Sequence, residues 1–444
     1  MSEYQEIIDK NKLYTYFSWS AQESANPIAI EKAKGIYFWD YNGKQYADFS
    51  SQLICTNIGH GDERVNKAII EQMNKVHYVQ PTNVTKVRGE LGEVIASVTP
   101  GDLNKTLFTI GGAEAVENAM KMARLYTGKQ KIITRYRSYH GGSFAAAAAG
   151  GDPRRIPNEP GIGWIVRMHD PYSYRSPIYR NQTPEEGDMI VCDLLEDTIK
   201  MEGTGTIAGI LLEGISGSSG VIMPSTPLFW KRVREICDKY EIVLIIDEVM
   251  SGFGRTGKWF GIDHYNVTPD IMVMAKGITS GYIPLGAVTT NDKIAQFFDK
   301  NMLACGLTYS GHSVACAAAV ATINIYKSDK LVENSANMGI KLEKTFKKFS
   351  EKHPSLGEAR GKGLHWCLEL VKNRKTREEL SEWNKPMSKP MSDVSAFLKQ
   401  NGISTFVRWN QVYACPPLCI TEKQLDDAME IYDMALDIAD KATV

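Results

Sequence analysis

Two reactive side chains stand at the ends of two short apolar segments in the middle of the chain. The segments cover residues 242–246 and 271–275, and they are followed by Asp247 and Lys276. Their length and their branched residues predict strands that are buried on both faces of a parallel sheet. Because ligands bind outside the carboxyl ends of such strands, we expect the carboxylate and the amine to face one cleft.

A third segment of the same kind covers residues 207–212 and is followed by Glu213. An amphipathic helix is predicted between it and the segment before Asp247, so strand, helix and strand alternate as in an α/β fold. One charge after one strand is usually a solvated loop residue. Three charges after three successive strands favour a shared active site.

A glycine pair leads into another predicted helix. A strand over residues 107–110 precedes Gly111 and Gly112, and Gly128 closes the helix. The first N–H groups of a helix and the positive end of its dipole favour a phosphate. An ordinary strand-to-helix turn explains the same glycines, so both interpretations stay open on the residues alone.

Composition and charge limit the classes of protein to which the chain can belong. The 444 residues carry a formal net charge of −1 and are 43% hydrophobic, which predicts a sizeable core and argues against nucleic acid or a membrane as partner. The first residues show no secretory pattern, and eight cysteines at irregular positions are typical of a reducing compartment. We expect a cytoplasmic protein. Since no histidines pair at helical spacing, we expect no metal.

The order of predicted elements divides the chain into three parts. Residues 80–325 are predicted to form a large α/β domain, and residues 326–444 a smaller α+β domain. Residues 1–79 contain Asn42-Gly43 between alternating apolar segments, a hairpin signal. We expect this N-terminal part to join the small domain, because neither has much core alone. The Pro- and Gly-rich residues 151–190 are predicted to be a long surface loop.

The segment from Gly252 to Gly257 satisfies G-x-G-x-x-G, the fingerprint of dinucleotide-binding domains. In those domains the first glycine ends a strand and the last opens a long helix. Here Gly252 comes five residues after Asp247, and no suitable helix pattern follows. We interpret the glycines as a rigid loop at the edge of the cleft.

Three motifs together resemble the class III (ω-amino-acid type) aminotransferases. They are DEVMSGFGRTG from Asp247, the lysine of MAKG at position 276, and the late TFVRWN and CPPL segments. The resemblance covers nearly the whole chain and implies fold type I, a large mostly parallel-sheet domain with a smaller α+β domain. It also implies pyridoxal 5'-phosphate as cofactor and a homodimer with shared active sites, and it leaves a tetramer open.

The resemblance assigns roles to individual positions. It makes Lys276 the Schiff-base lysine and Asp247 the partner of the pyridinium nitrogen. A carboxylate there keeps the ring able to accept electrons, and the displaced lysine can move a proton. The other implied cofactor contacts are Gly112 and Ala113 at the phosphate, Val249 and Tyr139 on the two ring faces, His140 and Glu213 nearby, and Thr308 reaching in from the partner subunit.

The implied substrate contacts begin with Arg408, which would bind the substrate carboxylate and pair with Glu213 when that charge must be hidden. FSWSAQ, GDPRR and FVRWNQVYACPPLCIT look most like the taurine-using members, which pass the amine to 2-oxoglutarate or pyruvate. β-Alanine or 4-aminobutyrate would fit the same logic. The predicted substrate-binding residues are Trp19, Ser20, Ile54, Arg155 and Arg408.

Some positions depart from the family pattern. Gly111-Gly112-Ala113 replaces Ser-Gly-Ser at the phosphate helix, Gly214 replaces a proline, and Met250 replaces a glutamine. Ile54 stands where several amine transaminases have tryptophan. Within the fold, an aminomutase or a decarboxylase is the alternative. Outside it, the alternatives are an NAD-dependent dehydrogenase and an interaction protein without cofactor, both disfavoured by the intact Lys276 and Asp247.

Overall fold

The computed structural model describes residues 2–444. Its helices alternate with strands through the centre of the chain. The α-helices are α1 (Glu3–Tyr14), α2 (Ser51–Ile54), α3 (Glu63–Lys75), α4 (Lys86–Ala96), α5 (Gly112–Thr127), α6 (Phe144–Ala149), α7 (Pro184–Glu202), α8 (Leu228–Tyr240), α9 (Asp292–Lys300), α10 (Ser313–Ser328), α11 (Leu331–Lys352), α12 (Lys389–Gln400) and α13 (Glu422–Asp440).

The strands form three sheets. They are β1 (Ile30–Lys34), β2 (Tyr37–Asp40), β3 (Gln45–Asp48), β4 (Lys105–Thr109), β5 (Lys131–Arg135), β6 (Ile165–Met168), β7 (Ile207–Glu213), β8 (Val243–Asp247), β9 (Ile271–Met274), β10 (Gly286–Thr290), β11 (Leu356–Lys362), β12 (His365–Asn373), β13 (Glu378–Glu379), β14 (Ile403–Ser404), β15 (Val407–Arg408) and β16 (Gln411–Ala414).

The largest sheet has seven strands in the order β4-β10-β9-β8-β7-β5-β6. All its pairs are parallel except the two that β10 makes with β4 and β9. Every residue of β7, β8 and β9 is buried, which explains their uninterrupted apolar sequences. These are the three strands predicted to carry charged ends, and they are neighbours in the sheet. Glu213 lies opposite Asp247 in their register.

The helix after the glycine pair packs on this sheet through small side chains. It begins at Gly112 and ends at Gly128, which adopts the left-handed conformation with φ of 69°. Its buried face is built on Ala115, Ala119 and Ala123, which lets the helix approach the strands closely. The predicted boundaries of this helix are confirmed.

The N-terminal strands are joined to the C-terminal part of the chain. Strands β2 and β3 pair antiparallel across Asn42-Gly43, as predicted, with Gly43 at φ of 79°. The next strand of the same sheet is β14, which runs parallel to β3. The remaining sheet, β11-β12-β16-β15, is antiparallel and carries β13 beside β12.

The prediction of a long surface loop over residues 151–190 is wrong in part. Strand β6 lies within this segment and extends the large sheet as the parallel neighbour of β5. Only Met168 of its four residues is buried, because an edge strand is covered on fewer sides than a central one. The apolar signal in the sequence is therefore short and weak. Among residues 2–444, none of the helices combines the length and the apolar character that a bilayer-spanning segment needs.

Candidate active site

Asp247 is held at the end of β8 by two hydrogen bonds. Its side chain is 4% exposed, and Oδ1 accepts a hydrogen bond from the Val249 N–H at 2.9 Å. Oδ2 lies 2.7 Å from Nδ1 of His140, a buried residue that follows β5. Nε2 of His140 is buried and has no hydrogen-bond partner among the described residues. The histidine therefore orients the carboxylate, and a carboxylate beside a ring nitrogen favours its protonated form.

Lys276 occupies a constrained turn directly after β9. Its φ is 49°, in the left-handed region that side chains other than glycine seldom adopt. Gly277 has no room for a side chain, since a Cβ there would lie 2.7 Å from Nδ2 of Asn57. Tyr326 fixes the turn by donating a hydrogen bond to the Gly277 carbonyl at 2.7 Å. The backbone thus directs the amine towards one place.

The surroundings of Lys276 favour a neutral amine. Burial is the largest influence and lowers the pKa of Lys276, and the cation of Arg154 acts in the same direction. Cys55, Asp247 and Glu213 act in the opposite direction without reversing the shift. A lysine with a lowered pKa can act as a nucleophile and as a base near neutral pH.

Glu213 is 3% exposed and bonds to its own loop. Its Oε2 accepts a hydrogen bond from the Gly217 N–H at 2.9 Å, and Oε1 lies 3.4 Å from the hydroxyl of Ser216. Burial raises the pKa of Glu213, although His140 and Arg135 oppose the shift. The carboxyl group therefore lies in the same electrostatic environment as Asp247 and His140.

The structure shows Glu213 and Arg408 apart, which is the released state of the predicted switch, and the paired state stays a prediction. The carboxyl group of Glu213 is turned into the 213–217 loop, and Arg408 makes no ion pair within 4.0 Å in the part of the chain described here. Arg408 is half-buried on β15, and burial together with the nearby cation of Arg154 lowers its pKa. The charge of Arg408 is thus not hidden by Glu213.

The N-terminus of α5 meets the loop that follows Asp247. A Cβ added to Gly112 would lie 3.1 Å from both methyl groups of Val249. The cap residue Gly111 offers no side chain to the first N–H groups of this 16-residue helix. Free N–H groups, a helix dipole and close backbone approach are what a phosphate requires. Gly112 and Val249 are therefore in contact, and the roles of Gly112 and Ala113 at the phosphate and of Val249 at the ring stay predictions.

Tyr139 is covered by an arginine that the sequence analysis did not select. The guanidinium carbon of Arg154 lies 3.6 Å from the ring centroid of Tyr139 and 5.9 Å from that of Trp19. Trp19 and Tyr139 form an edge-to-face pair at 6.3 Å. Arg154 also lowers the pKa values of both Lys276 and Arg408. Its cation therefore belongs to the same site as these residues.

Arg155, which was predicted to bind substrate, faces elsewhere. It forms an ion pair with Glu159, and its Nε donates to the Gly151 carbonyl at 3.1 Å. Arg155 lines a separate cavity of about 190 Å³ together with Arg167. Both arginines of GDPRR lie in the 3₁₀ turn Pro153–Asn158, where consecutive side chains diverge by about 120°. Only one of them can face Tyr139.

The other predicted substrate residues have different environments. Ile54 is 1% exposed and packs in the main hydrophobic core, with a left-handed φ of 56°. Its side chain is therefore buried by neighbours of the same chain. Trp19 is 58% exposed and Ser20 is exposed, so this part of the predicted site is open to solvent in the single chain. Thr308 is also exposed, and its carbonyl accepts a hydrogen bond from Tyr78 at 2.9 Å.

The chain was compared with known proteins. The model of the family "Aminotransferase class-III" matches residues 19–436. A taurine:2-oxoglutarate aminotransferase of Bifidobacterium kashiwanohense, solved with pyridoxal phosphate and glutamate, is 38% identical with a TM-score of 0.94 and covers 99% of both chains. The putrescine–pyruvate aminotransferase of Pseudomonas aeruginosa is 34% identical over 98% of this chain and 96% of its own length. The gamma aminobutyrate transaminase 2 of Solanum lycopersicum is 32% identical over 94% of this chain and 92% of its own length.

Fold, site and comparisons agree, and the chain belongs to the class III aminotransferases. It is a pyridoxal-phosphate-dependent aminotransferase of fold type I. The residues present fit that cofactor. Helix α5 begins at a glycine pair with free N–H groups for the phosphate, Asp247 offers a buried carboxylate for the ring nitrogen, and Lys276 offers an amine. Nε2 of His140, which has no hydrogen-bond partner among the described residues, leaves room for a further polar group in the site.

Proposed function

We propose that the protein is an ω-amine aminotransferase that takes its amino group from taurine, forming sulfoacetaldehyde, and passes it to 2-oxoglutarate or pyruvate. One observation carries the proposal. The guanidinium of Arg154 lies over Tyr139, and its positive charge lowers the pKa values of both Lys276 and Arg408. The site therefore contains two neighbouring guanidinium groups, and among the described residues only that of Arg154 has a carboxylate partner, Asp152. Such a site suits a substrate with an anionic end.

The donor is proposed to bind with its amine at Lys276 and its sulfonate at Arg154. Arg154 lies over the ring of Tyr139 and its charge acts on Lys276, so the anionic group of taurine, two carbons from the amine, is proposed to reach it. Trp19 lies beside the same arginine, on the part of the site that is open to solvent in the single chain. The relative of known structure that is named for taurine supports this choice, whereas those named for putrescine and 4-aminobutyrate keep the class of ω-amines broader.

The chemistry of transfer depends on a small number of side chains. Bound pyridoxal phosphate supplies the electron sink that makes the hydrogen on the amine-bearing carbon acidic. Lys276 would take that proton from the donor carbon and pass it to the cofactor as the cofactor gains the amino group, and in the second half-reaction it would carry a proton in the opposite direction, to the former carbonyl carbon of the oxo acid. Burial lowers the pKa of Lys276, which increases the neutral fraction of its amine. Asp247, oriented by His140, would hold the ring nitrogen.

The acceptor is proposed to bind through Arg408. Because Glu213 bonds to Gly217, the guanidinium of Arg408 is available for the α-carboxylate of an oxo acid. Arg154 would then be free for a second carboxylate once the donor product has left. This arrangement favours 2-oxoglutarate over pyruvate as acceptor. β-Alanine and 4-aminobutyrate, which also have an anionic end, are the alternative donors.

The donor can be tested by steady-state kinetics. The holoenzyme would be incubated with taurine, β-alanine, 4-aminobutyrate or putrescine, each with 2-oxoglutarate or pyruvate, and the glutamate or alanine formed would be measured. We expect the highest kcat/KM with taurine and 2-oxoglutarate. A preference for putrescine, which has a cation where taurine has an anion, would contradict the proposal.

We further infer a homodimer in which Thr308 completes the cofactor site of the partner subunit. No residue of α1 is buried, and the N-terminal segment exposes large apolar side chains, namely Leu13, Tyr14, Tyr16 and Trp19. An apolar surface of this size is usually covered by another protein surface. Analytical ultracentrifugation of the holoenzyme should give the mass of a dimer. A monomer that is fully active would overturn this inference.

A further inference from the structure

A second cationic cavity lies apart from the residues that form the active site. It has a volume of about 680 Å³ and is formed by Arg137 after β5, by the segment after β6 and by the charged segment after β12. Its walls contain five cationic side chains and no carboxylate, together with hydroxyl and amide groups. The cationic residues are Arg137, Arg175, Arg180, Lys375 and Arg377.

Two of these arginines are fixed in the inner wall. The guanidinium carbon of Arg137 lies 3.9 Å from the ring centroid of Trp383, and Arg137 forms no ion pair among residues 2–444. Arg175 is 15% exposed and pairs from behind with Glu369 and Glu379. Its Nη2 is nevertheless buried without a hydrogen-bond partner in the described chain. Their donors are therefore already ordered before any ligand binds.

Three further cations form the rim of the cavity. Arg180, Lys375 and Arg377 are exposed, and within the described residues none of them is within 4.0 Å of a carboxylate. Arg377 donates a hydrogen bond to the carbonyl of Tyr174, which holds it at the mouth. The whole chain has a net charge of −1, so this concentration of positive charge is local and does not reflect the composition.

Four of the five cations have no carboxylate partner among the described residues, and only Arg175 is paired. Cations that converge on one concave surface repel each other, and a compact anion relieves that repulsion. The planar fork of arginine matches the oxygen atoms of a phosphate group, and ordered donors lose little entropy on binding. The cavity is larger than one phosphate requires. Five cations from three parts of the chain match a ligand with several charges.

We propose that this cavity binds a small polyanion with at least two phosphate groups, of the class of pyrophosphate and nucleoside polyphosphates. The proposal is independent of transamination, because none of the five cations is assigned a role in that reaction. The site would exist whichever amine the enzyme uses.

Isothermal titration calorimetry of the full-length holoenzyme tests the proposal, with pyrophosphate, ATP and inorganic sulfate as probes in a buffer of constant ionic strength. The double variant Arg180→Ala/Lys375→Ala removes two rim cations. The matched control Lys344→Ala/Lys348→Ala removes the same charge from exposed positions on α11 that form no ion pair in the described chain.

We expect one pyrophosphate site per chain, weaker binding of sulfate, and a Kd about tenfold or more higher in the rim variant, with the control like the wild type. ATP binding more tightly than pyrophosphate would identify a nucleotide as the ligand class, and equal affinities would identify the phosphate groups alone. Binding that the rim variant retains, equal weakening in the control, or no heat with pyrophosphate or ATP would each overturn the proposal.

Discussion

At the scale of single residues, the position of the Arg154 guanidinium depends on Asp152. Asp152 is 1% exposed, and its Oδ1 accepts hydrogen bonds from the backbone N–H of Arg154 at 3.0 Å and from its Nε at 3.1 Å. The second oxygen accepts from the same guanidinium and from the hydroxyl of Ser219. This pairing places the guanidinium over Tyr139 and leaves Nη1 available for a ligand.

Replacing Arg154 by glutamine should therefore separate anionic from uncharged or cationic amines. A charge-assisted hydrogen bond contributes about 1.5–3 kcal/mol, so we expect KM for taurine to rise roughly 10- to 100-fold in Arg154→Gln. The KM for putrescine should change little. Arg155→Gln is the matched control, because that residue pairs with Glu159 outside the site. An equal rise in KM for both amines would indicate that Arg154 supports Tyr139 and does not bind the anionic group of the substrate.

The site could be predicted from the sequence where a residue follows a strongly apolar strand. Lys276, Asp247 and Glu213 are of this kind, since burial on both faces leaves a long signal that ends at the functional residue. Arg154 could not be distinguished from Arg155, because neighbouring positions in a short 3₁₀ turn have no periodicity that tells which side chain faces the cleft. The environment of Ile54 depends on which surfaces pack together after folding, and no local pattern in the sequence shows this.

At the scale of elements, the loop from Gly252 to Gly257 joins the parts of the chain. Arg255 is fully buried and donates hydrogen bonds to the carbonyl groups of Leu364 and Pro416 and to the side chains of Ser51 and Asn57. The G-x-G-x-x-G pattern is thus a buried joint, followed by a short 3₁₀ turn at Gly261–His264 and by no long helix. The predicted loop is present, and Arg255 fixes it to the segments that contain Ser51, Leu364 and Pro416.

The glycine at the end of this loop should not tolerate a side chain. Gly257 has φ of 84°, and a Cβ there would lie 2.9 Å from the backbone of Ala336 on α11. We expect Gly257→Ala to lower the free energy of unfolding by about 2 kcal/mol, measured by urea denaturation. Gly89→Ala in α4 meets no atom within 4 Å and should raise stability by about 0.5–1 kcal/mol. Equal effects of the two changes would contradict this account.

The helices and strands differ in how strongly their local sequence predicts them. The Asn42-Gly43 hairpin, helix α5 and the three central strands have strong local signals, and their predictions are confirmed. The pairing of β14 with β3 joins residues more than 350 positions apart. Edge strand β6, which pairs with β5, has a weak apolar pattern. Neither contact is visible in a local pattern, because both depend on which surfaces meet after folding.

At the scale of the whole molecule, a buried ion-pair network connects the antiparallel C-terminal sheet to the segment after β6. Glu369 on β12 is fully buried and bonds to Arg360 at 2.6 Å, to Arg175 and to Tyr172. Burial alone would raise the pKa of Glu369, but the guanidinium groups of Arg360 and Arg175 outweigh it and lower the pKa to about 2. The network thus depends on an ionised carboxylate.

This network predicts how stability changes with pH. A glutamate whose pKa is lower in the folded state than in the unfolded state stabilises fully above about pH 4.5, and that contribution is lost as pH falls towards 2. We expect Glu369→Gln to cost about 3 kcal/mol at about pH 7 and clearly less at about pH 3.5, measured by urea denaturation. Glu378→Gln, which removes an exposed partner of Lys372, should cost less than about 1 kcal/mol. A cost of Glu369→Gln that does not depend on pH would contradict the prediction.

The central claim is that an anionic ω-amine reacts at Lys276. The most direct test follows the absorption of bound pyridoxal phosphate in the purified holoenzyme while taurine is added, with Lys276→Ala measured in parallel. We predict that taurine changes the spectrum of the wild type, that 2-oxoglutarate restores it, and that transamination by the variant is slower by a factor of about 10³ or more. A spectrum that taurine leaves unchanged but putrescine converts would contradict the claim.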